Sequence, residues 1–206
     1  MVKLILGLLS FNDSSYEAIF SAKKFNIISY LIFILACLSG SIYPFLSDNS
    51  LDFSTPELII RFIGLCVQNL FIFAGTYFLG FIFFATNKRI DLRHSGTGND
   101  SSKLTFANHS RLLSIIKFPT IIGMISLIPF IQNINSFSFI ILVAVTLYLY
   151  AMTVKSIFIS FGYNSRDQKR RQVNYIKSFL VVMFTQIPGA MIFELFIVNL
   201  ALTYIK

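Results

Sequence analysis

Long apolar stretches, several of them followed by positive charge, dominate this sequence. One covers residues 62–86, contains no charged side chain and is followed by Lys88 and Arg89. About 20 mostly apolar residues are enough for an α-helix to cross the hydrocarbon core of a bilayer. Lipid offers the backbone no hydrogen-bond partners, and the stretch lacks the alternation of a barrel strand. It therefore predicts a membrane-spanning helix.

The composition of the whole chain favours the same class of protein. Of 206 residues, 55% are hydrophobic, 24 are phenylalanine and 13% are charged. A soluble domain usually carries about 25% charged residues. The net charge is +8, but the basic residues cluster between the apolar stretches, where membrane topology explains them. We therefore expect a bilayer as the environment and no nucleic-acid partner.

Five apolar stretches are long enough to span. The fifth is the longest and is interrupted by Pro188-Gly189, so we expect it to tilt or kink. The fold class predicted is all-α: a polytopic membrane bundle of five transmembrane helices, with short amphipathic helices on the cytoplasmic side. Residues 26–206 form the membrane domain, and its predicted spans are about 26–46, 62–86, 115–134, 137–161 and 176–205.

Residues 1–25 are predicted to form a cytoplasmic amphipathic segment. The pair Ser14 and Glu17 has the spacing of a capping box, which starts a helix. Tyr16, Ile19 and Phe20 then share one helical face. This face either packs on the bundle or lies in the membrane interface, and the pattern favours the interface.

The basic residues give the chain an orientation. With the N-terminus in the cytoplasm, all but Arg61 and Lys206 of the 17 basic residues lie on the cytoplasmic side. The first external connection instead carries Asp48, Asp52 and Glu57. Cytoplasmic loops of membrane proteins are enriched in lysine and arginine, so we expect N-in, C-out. The cytoplasmic set is Lys3, Lys23, Lys24, Lys88, Arg89, Arg93, Lys103, Arg111, Lys117, Lys155, Arg166, Lys169, Arg170, Arg171 and Lys177.

A polar cluster is predicted inside the membrane. Glu194 is the only acidic residue within the spans, and it falls in the outer half of the fifth. Arg61, Gln68 and Asn69 enter the second span from the same side, so they are its candidate neighbours. The cluster is either an ion or proton site or a structural pair, and the structural interpretation is favoured because ionisable groups in lipid need partners.

The predicted cytoplasmic face is a second candidate site. Basic residues near a membrane attract anionic headgroups by roughly 1 kcal/mol each. The alternative is that these residues only set the topology. The candidates for binding anionic lipids or a partner are Lys88, Arg89, Arg93, Arg166, Lys169, Arg170 and Arg171.

No motif in the sequence indicates an enzyme. Residues 95–103 are rich in glycine and serine but lack the glycine directly before lysine that a phosphate-binding loop needs. His94 and His109 have no partners at metal-ligand spacing, and Cys37 and Cys66 lie in apolar stretches as packing residues. We expect no catalytic residue, no cofactor and no metal.

Two pairs of small residues predict close contacts between helices. Ala36 and Gly40 form one pair, and Thr76 and Gly80 form the other. Such spacing lets backbones approach each other. The sequence leaves open whether the contacts lie within one chain or with a partner.

Three segments resemble the Yip domain family of membrane proteins. They are residues 8–43, residues 96–124 with Pro119 at the start of the third span, and residues 162–169. The resemblance implies five spans, a cytoplasmic N-terminus, a C-terminus across the membrane and no enzymatic activity. The chain lacks the longer polar N-terminal domain and the Asp-Leu-Tyr-Gly-Pro-like motif of the trafficking members, so it is similar to the short bacterial or organellar type, and a Rab partner is not implied.

Two functions remain open from the sequence. The leading hypothesis is a Yip-like scaffold or membrane-organising factor that contacts lipids, other membrane proteins or a second copy of itself. The alternative is a transporter, channel or accessory subunit for a small solute or ion, using the cluster around Glu194. A scaffold predicts a dry, closely packed bundle, whereas a transporter predicts a water-accessible cavity. The expected location is a bacterial inner membrane or an organellar or endomembrane.

Overall fold

The described part of the chain is all-helical. A computed structural model describes residues 2–47, 55–84, 104–123, 135–162 and 168–192 and Thr203, and none of these residues is in a strand. This confirms the all-α prediction. The helices are α1 (Val2–Leu9), α2 (Asp13–Ser21), α3 (Asn26–Ser47), α4 (Thr55–Phe84), α5 (Phe106–Ile115), α6 (Phe118–Gly123), α7 (Asn135–Ile157) and α8 (Gln168–Ile192). A 3₁₀ turn (Lys23–Phe25) precedes α3, and a π turn (Phe158–Gly162) follows α7.

Three helical stretches are long and apolar enough to cross a membrane. They are Lys23–Ile42, Thr55–Phe84 and Val143–Phe161, with mean hydropathies of 2.0, 1.9 and 1.6. They overlap the first, second and fourth predicted spans, although α4 begins at Thr55, before the predicted 62. Large apolar side chains project outward from them, including Ile27 and Phe78. An apolar exterior on long helices indicates a membrane protein.

The other predicted spans differ from the helices at their starts. A turn at Ile116 and Lys117 separates α5 from α6. The helix of the third predicted span, α6, therefore begins at 118 rather than at 115. Pro119 sits in its first turn, where its missing N–H has no helical acceptor to lose. Helix α8 begins at Gln168, before the predicted 176, and contains Pro188. The remainders of these two spans lie largely outside the described residues.

The N-terminal helices pack on the bundle. Asn12 caps α2 by accepting a hydrogen bond from the Ser14 backbone N–H at 2.9 Å, so the predicted cap at Ser14 is wrong. The apolar face of Tyr16, Ile19 and Phe20 is at most 2% exposed. Helix α5 and the π turn cover this face, and the preferred expectation that it lies in the membrane interface is therefore wrong.

Arg111 fastens α5 to the end of α2. Its side chain is 3% exposed, and Nη1 donates to the carbonyl oxygen of Phe20 at 2.9 Å and to that of Ile19 at 3.4 Å. Nη2 donates to Asn108 Oδ1 at 2.9 Å, and Nε donates to Asn26 Oδ1. Carbonyls at a helix C-terminus lack intrahelical donors, and a guanidinium supplies several. This residue, assigned from the sequence to a basic loop, is a buried structural link.

Asp13 of α2 joins α2, α7 and α8 at one end of the bundle. Its carboxylate forms ion pairs with Lys155 near the end of α7 and with Arg171 near the start of α8. Lys155 Nζ also donates to the hydroxyl of Tyr175 at 2.8 Å. The N-terminal segment is therefore joined to the bundle by charge as well as by apolar packing.

Both pairs of small residues make contacts within one chain. A Cβ added to Gly40 would lie 2.9 Å from Leu65 Cδ1, so α3 and α4 approach closely there. A Cβ added to Gly80 would overlap the ring of Phe161. The alternative left open by the sequence, contact with a partner, is not needed to explain either pair.

Candidate functional site: a polar pocket in the bundle

A cavity of about 270 Å³ lies among α3, α4, α6, α7 and α8. Its lining falls near the middle of α3, α4 and α7. From Thr146 on α7 to Lys155 in the Asp13 network is roughly 13 Å along the helix axis. The cavity therefore lies well inside the ends of the helices, and it is partly open, because Thr146 and Ala190 in its lining are exposed. Seven of its 14 lining residues have polar side chains. The lining residues are Ala36, Cys37, Gly40, Leu65, Gln68, Asn69, Ile72, Lys117, Thr120, Thr146, Leu149, Tyr150, Gln186 and Ala190.

Lys117 brings a positive charge to this pocket. It lies in the turn between α5 and α6. Its backbone N–H donates a hydrogen bond to the carbonyl oxygen of Ser114 at 3.2 Å, which fixes its position. Among the described residues, the ammonium of Lys117 makes no ion pair and no side-chain hydrogen bond. Cys37 lines the same pocket. The residue counted from the sequence as a cytoplasmic loop charge is part of an interior site.

The amide side chains of α4 line the opposite wall. Asn69 Nδ2 donates to Leu65 carbonyl oxygen at 2.8 Å and to Cys37 Sγ at 3.7 Å. These contacts hold the amide in one orientation. Gln68, one residue earlier, and Gln186 on α8 also face the cavity. The pocket thus holds several carboxamides whose hydrogen-bonding capacity suits a polar guest.

Two hydroxyl oxygens beside the cavity are buried without partners. Within the described part of the chain, neither Thr120 Oγ1 nor Tyr150 Oη has a hydrogen bond. Leaving a buried polar atom unpaired costs about 1–3 kcal/mol. Both residues line the pocket, so a polar molecule in the pocket would satisfy them.

Three of the four residues of the predicted intramembrane cluster lie in the described part of the chain. Gln68 and Asn69 come together in the pocket. Arg61 does not line it and instead pairs with Glu57 one turn earlier on α4, at 2.8 Å between Nη2 and Oε1. Glu194 lies outside the described residues. The residue that sequence reasoning missed is Lys117, although a lysine directly before Phe118-Pro119 at a span start was a usable signal.

The predicted basic face is described at α8. Lys169, Arg170 and Arg171 are exposed in the first turn of that helix. Arg171 Nη2 lies 3.1 Å from Asp13 Oδ2. The other predicted members, Lys88, Arg89, Arg93 and Arg166, lie outside the described residues.

A second buried polar group surrounds His109. Its Nε2 lies 3.0 Å from Thr76 Oγ1, and its Nδ1 lies 3.1 Å from Ser160 Oγ. All three side chains are at most 1% exposed. Burial lowers the pKa of His109 to about 3, so the ring is neutral. A serine beside a histidine has the spacing of a nucleophile and its base, but a substrate has no access to atoms this deeply buried. The cluster joins α4, α5 and the π turn.

No family model matches the chain, and no curated protein or solved structure matches it either. The described residues also contain no group of three or more histidine, cysteine or acidic side chains able to hold a metal ion. The resemblance to the Yip domain family therefore stays a prediction.

Proposed function

We propose that the chain crosses the membrane five times, with its N-terminus in the cytoplasm and its C-terminus outside. The directions of the helices support this topology. Asp13, the end of α7 and the start of α8 meet at one end of the bundle, and Lys177 of α8 lies over the ring of Phe84 at the end of α4. That end carries most of the basic residues in the described part of the chain, and the positive-inside rule assigns it to the cytoplasm.

We propose that this protein binds a small polar solute in the pocket, as a transporter, channel or accessory subunit would. The observation that carries the proposal is a partly open cavity midway along an apolar bundle, with seven polar side chains in its lining, one of them a lysine. Polar and ionisable groups at such depth are costly and usually mark a solute pathway or binding site. A pure scaffold predicts a closely packed bundle, so the cavity favours the solute-binding candidate. No covalent chemistry is proposed.

The cavity volume limits the class of ligand. Sites for drug-sized molecules occupy about 300–1,000 Å³. At about 270 Å³, this pocket suits a smaller guest, such as an amino acid, a short carboxylate or an inorganic ion. Its apolar share, including Ile72 and Leu149, leaves room for a short hydrocarbon part.

Narrowing the pocket tests this function. Ala190 is exposed yet lines the cavity, so Ala190→Phe obstructs it without displacing core residues. Ala151→Phe, on the exposed face of α7, is the matched control. The ligand panel consists of small amino acids, carboxylates, polyols and inorganic ions. We expect at least one of these compounds to raise the unfolding temperature of the purified wild type and of Ala151→Phe. The same compound should bind Ala190→Phe at least tenfold more weakly. A panel with no effect on the wild type contradicts the proposal.

A scaffold function is the second candidate. It is favoured by the exposed basic turn at Lys169 and Arg170, which the Asp13 network holds beside the N-terminal helices. Such a surface suits anionic headgroups or an acidic partner protein. The resemblance to the Yip domain family points the same way. Failure of the whole solute panel would leave this candidate as the better one.

A further inference from the structure

The described lining of the pocket has one basic side chain and no acidic one. Lys117 is the basic residue, and the described residues around the cavity include no aspartate or glutamate. An ammonium group within a membrane bundle is expensive unless it is paired or hydrated. A negatively charged guest would neutralise it.

Several other groups around the cavity can donate hydrogen bonds. The hydroxyls of Thr120 and Tyr150 are buried and unpartnered in the described part of the chain, and each can rotate to donate. The carboxamides of Gln68 and Gln186 add further N–H donors. The side-chain amide of Asn69 already donates to Leu65 and Cys37, so it stabilises the wall of the pocket and is not counted as a further donor.

We infer that the pocket binds a small anion, with Lys117 as its ionic partner and the hydroxyls of Thr120 and Tyr150 as hydrogen-bond donors. This inference rests on the proposed function, because it names the class of solute that the pocket accepts. The shared chemistry is a carboxylate or phosphate group. It belongs either to a free solute or to the headgroup of an anionic lipid that enters between the helices.

A matched pair of probes tests the charge requirement. Acetate and acetamide have the same shape and differ by one charge, and inorganic phosphate tests a second anion. Binding is measured as the shift in unfolding temperature of the full-length protein in neutral detergent, at constant ionic strength with lactobionate as the bulky background anion. Ligands that bind only the folded state raise this temperature by mass action.

Substitutions at Lys117 then test the residue. We expect acetate or phosphate to stabilise the wild type and acetamide to do so at least tenfold more weakly. Lys117→Gln should reduce anion affinity at least tenfold, and Lys117→Arg should retain it. Lys24→Gln, which removes an exposed lysine, is the matched control and should behave as wild type. Without anions, Lys117→Gln should be at least as stable as wild type, because it removes an unpaired charge.

A second experiment, in lipid nanodiscs, distinguishes a free anionic solute from the headgroup of an anionic lipid. In nanodiscs of phosphatidylglycerol, a headgroup ligand would stabilise the wild type relative to phosphatidylcholine, and Lys117→Gln would abolish the difference. A free solute would instead act equally in both lipids. Either result supports an anion site.

Four results would overturn the inference. Equal binding of acetate and acetamide, or unchanged anion binding in Lys117→Gln, would remove the role of charge. A neutral member of the solute panel that binds where anions do not would leave the proposed function standing and this inference wrong. Anion binding that occurs in Glu194→Gln and not in the wild type would mean that the chain's own carboxylate occupies the site.

Discussion

Replacing Arg111 with methionine is expected to lower the free energy of unfolding by about 3–5 kcal/mol. Methionine keeps the volume of the stem but cannot donate hydrogen bonds. The carbonyl oxygens of Ile19 and Phe20 and the side-chain oxygens of Asn26 and Asn108 would each lose a buried donor. The measurement is equilibrium unfolding in mixed micelles by titration with dodecyl sulfate, followed by circular dichroism.

Two further variants define the cause of this loss. Arg111→Lys keeps the charge but lacks the planar fork that reaches several oxygens, so it should recover only part of the stability. Arg170→Met, at an exposed arginine of α8, should change the free energy by at most about 1 kcal/mol. A loss at Arg111 no larger than at Arg170 would show that the link between α2 and α5 is dispensable.

Acid should destabilise this protein through His109. The pKa of the buried ring is about 3, below its ordinary 6.5, because burial disfavours the charged form. As the pH falls below 6.5, His109 therefore binds a proton in the unfolded state but not in the folded state. Stability is fully present above pH 6.5 and declines by about 1.4 kcal/mol per pH unit towards pH 3. Between pH 6.5 and 4.5 the loss from His109 is about 2.3 kcal/mol.

A comparison of variants isolates this contribution. His109→Gln retains a donor and an acceptor between Thr76 and Ser160 but does not titrate, so its unfolding free energy should fall less steeply with acid. The carboxylates are common to both proteins and cancel in the difference. His94→Gln removes the other histidine of the chain and should keep the wild-type slope. Parallel curves for wild type and His109→Gln between pH 6.5 and 4.5 would contradict the assignment.

The long helices were predictable because apolar length alone specifies them. Residues 26–46, 62–86 and 137–161 each hold more apolar side chains than a connecting loop can place in water, and α3, α4 and α7 occupy those stretches. The break before α6 was not predictable from this signal. Ile115 and Ile116 are apolar and directly precede the next apolar stretch, so hydropathy alone assigns the turn to the span.

Buried charge was the hardest feature to predict. Arg111 and Lys117 have the same sequence context as loop residues that set topology, and hydropathy cannot distinguish a lysine facing water from one facing a cavity. Only the placement of α5 against α2, and of α6 against α7, brings these side chains inside. The amphipathic face of Tyr16, Ile19 and Phe20 was predicted correctly, but an apolar face does not specify whether protein or lipid covers it.

The most direct measurement is the sidedness of each connection between the helices. Single cysteines replace Ser50, Ser102, Asn133, Ser165 and Lys206 in a chain whose Cys37 and Cys66 are serine, and spheroplasts of a bacterial host are treated with a membrane-impermeant maleimide. Five spans with the N-terminus inside predict labelling at positions 50, 133 and 206, and protection at 102 and 165 until the membrane is opened. Labelling of positions 50 and 102 from the same side would mean that α4 does not cross, and the pocket would not lie within a membrane.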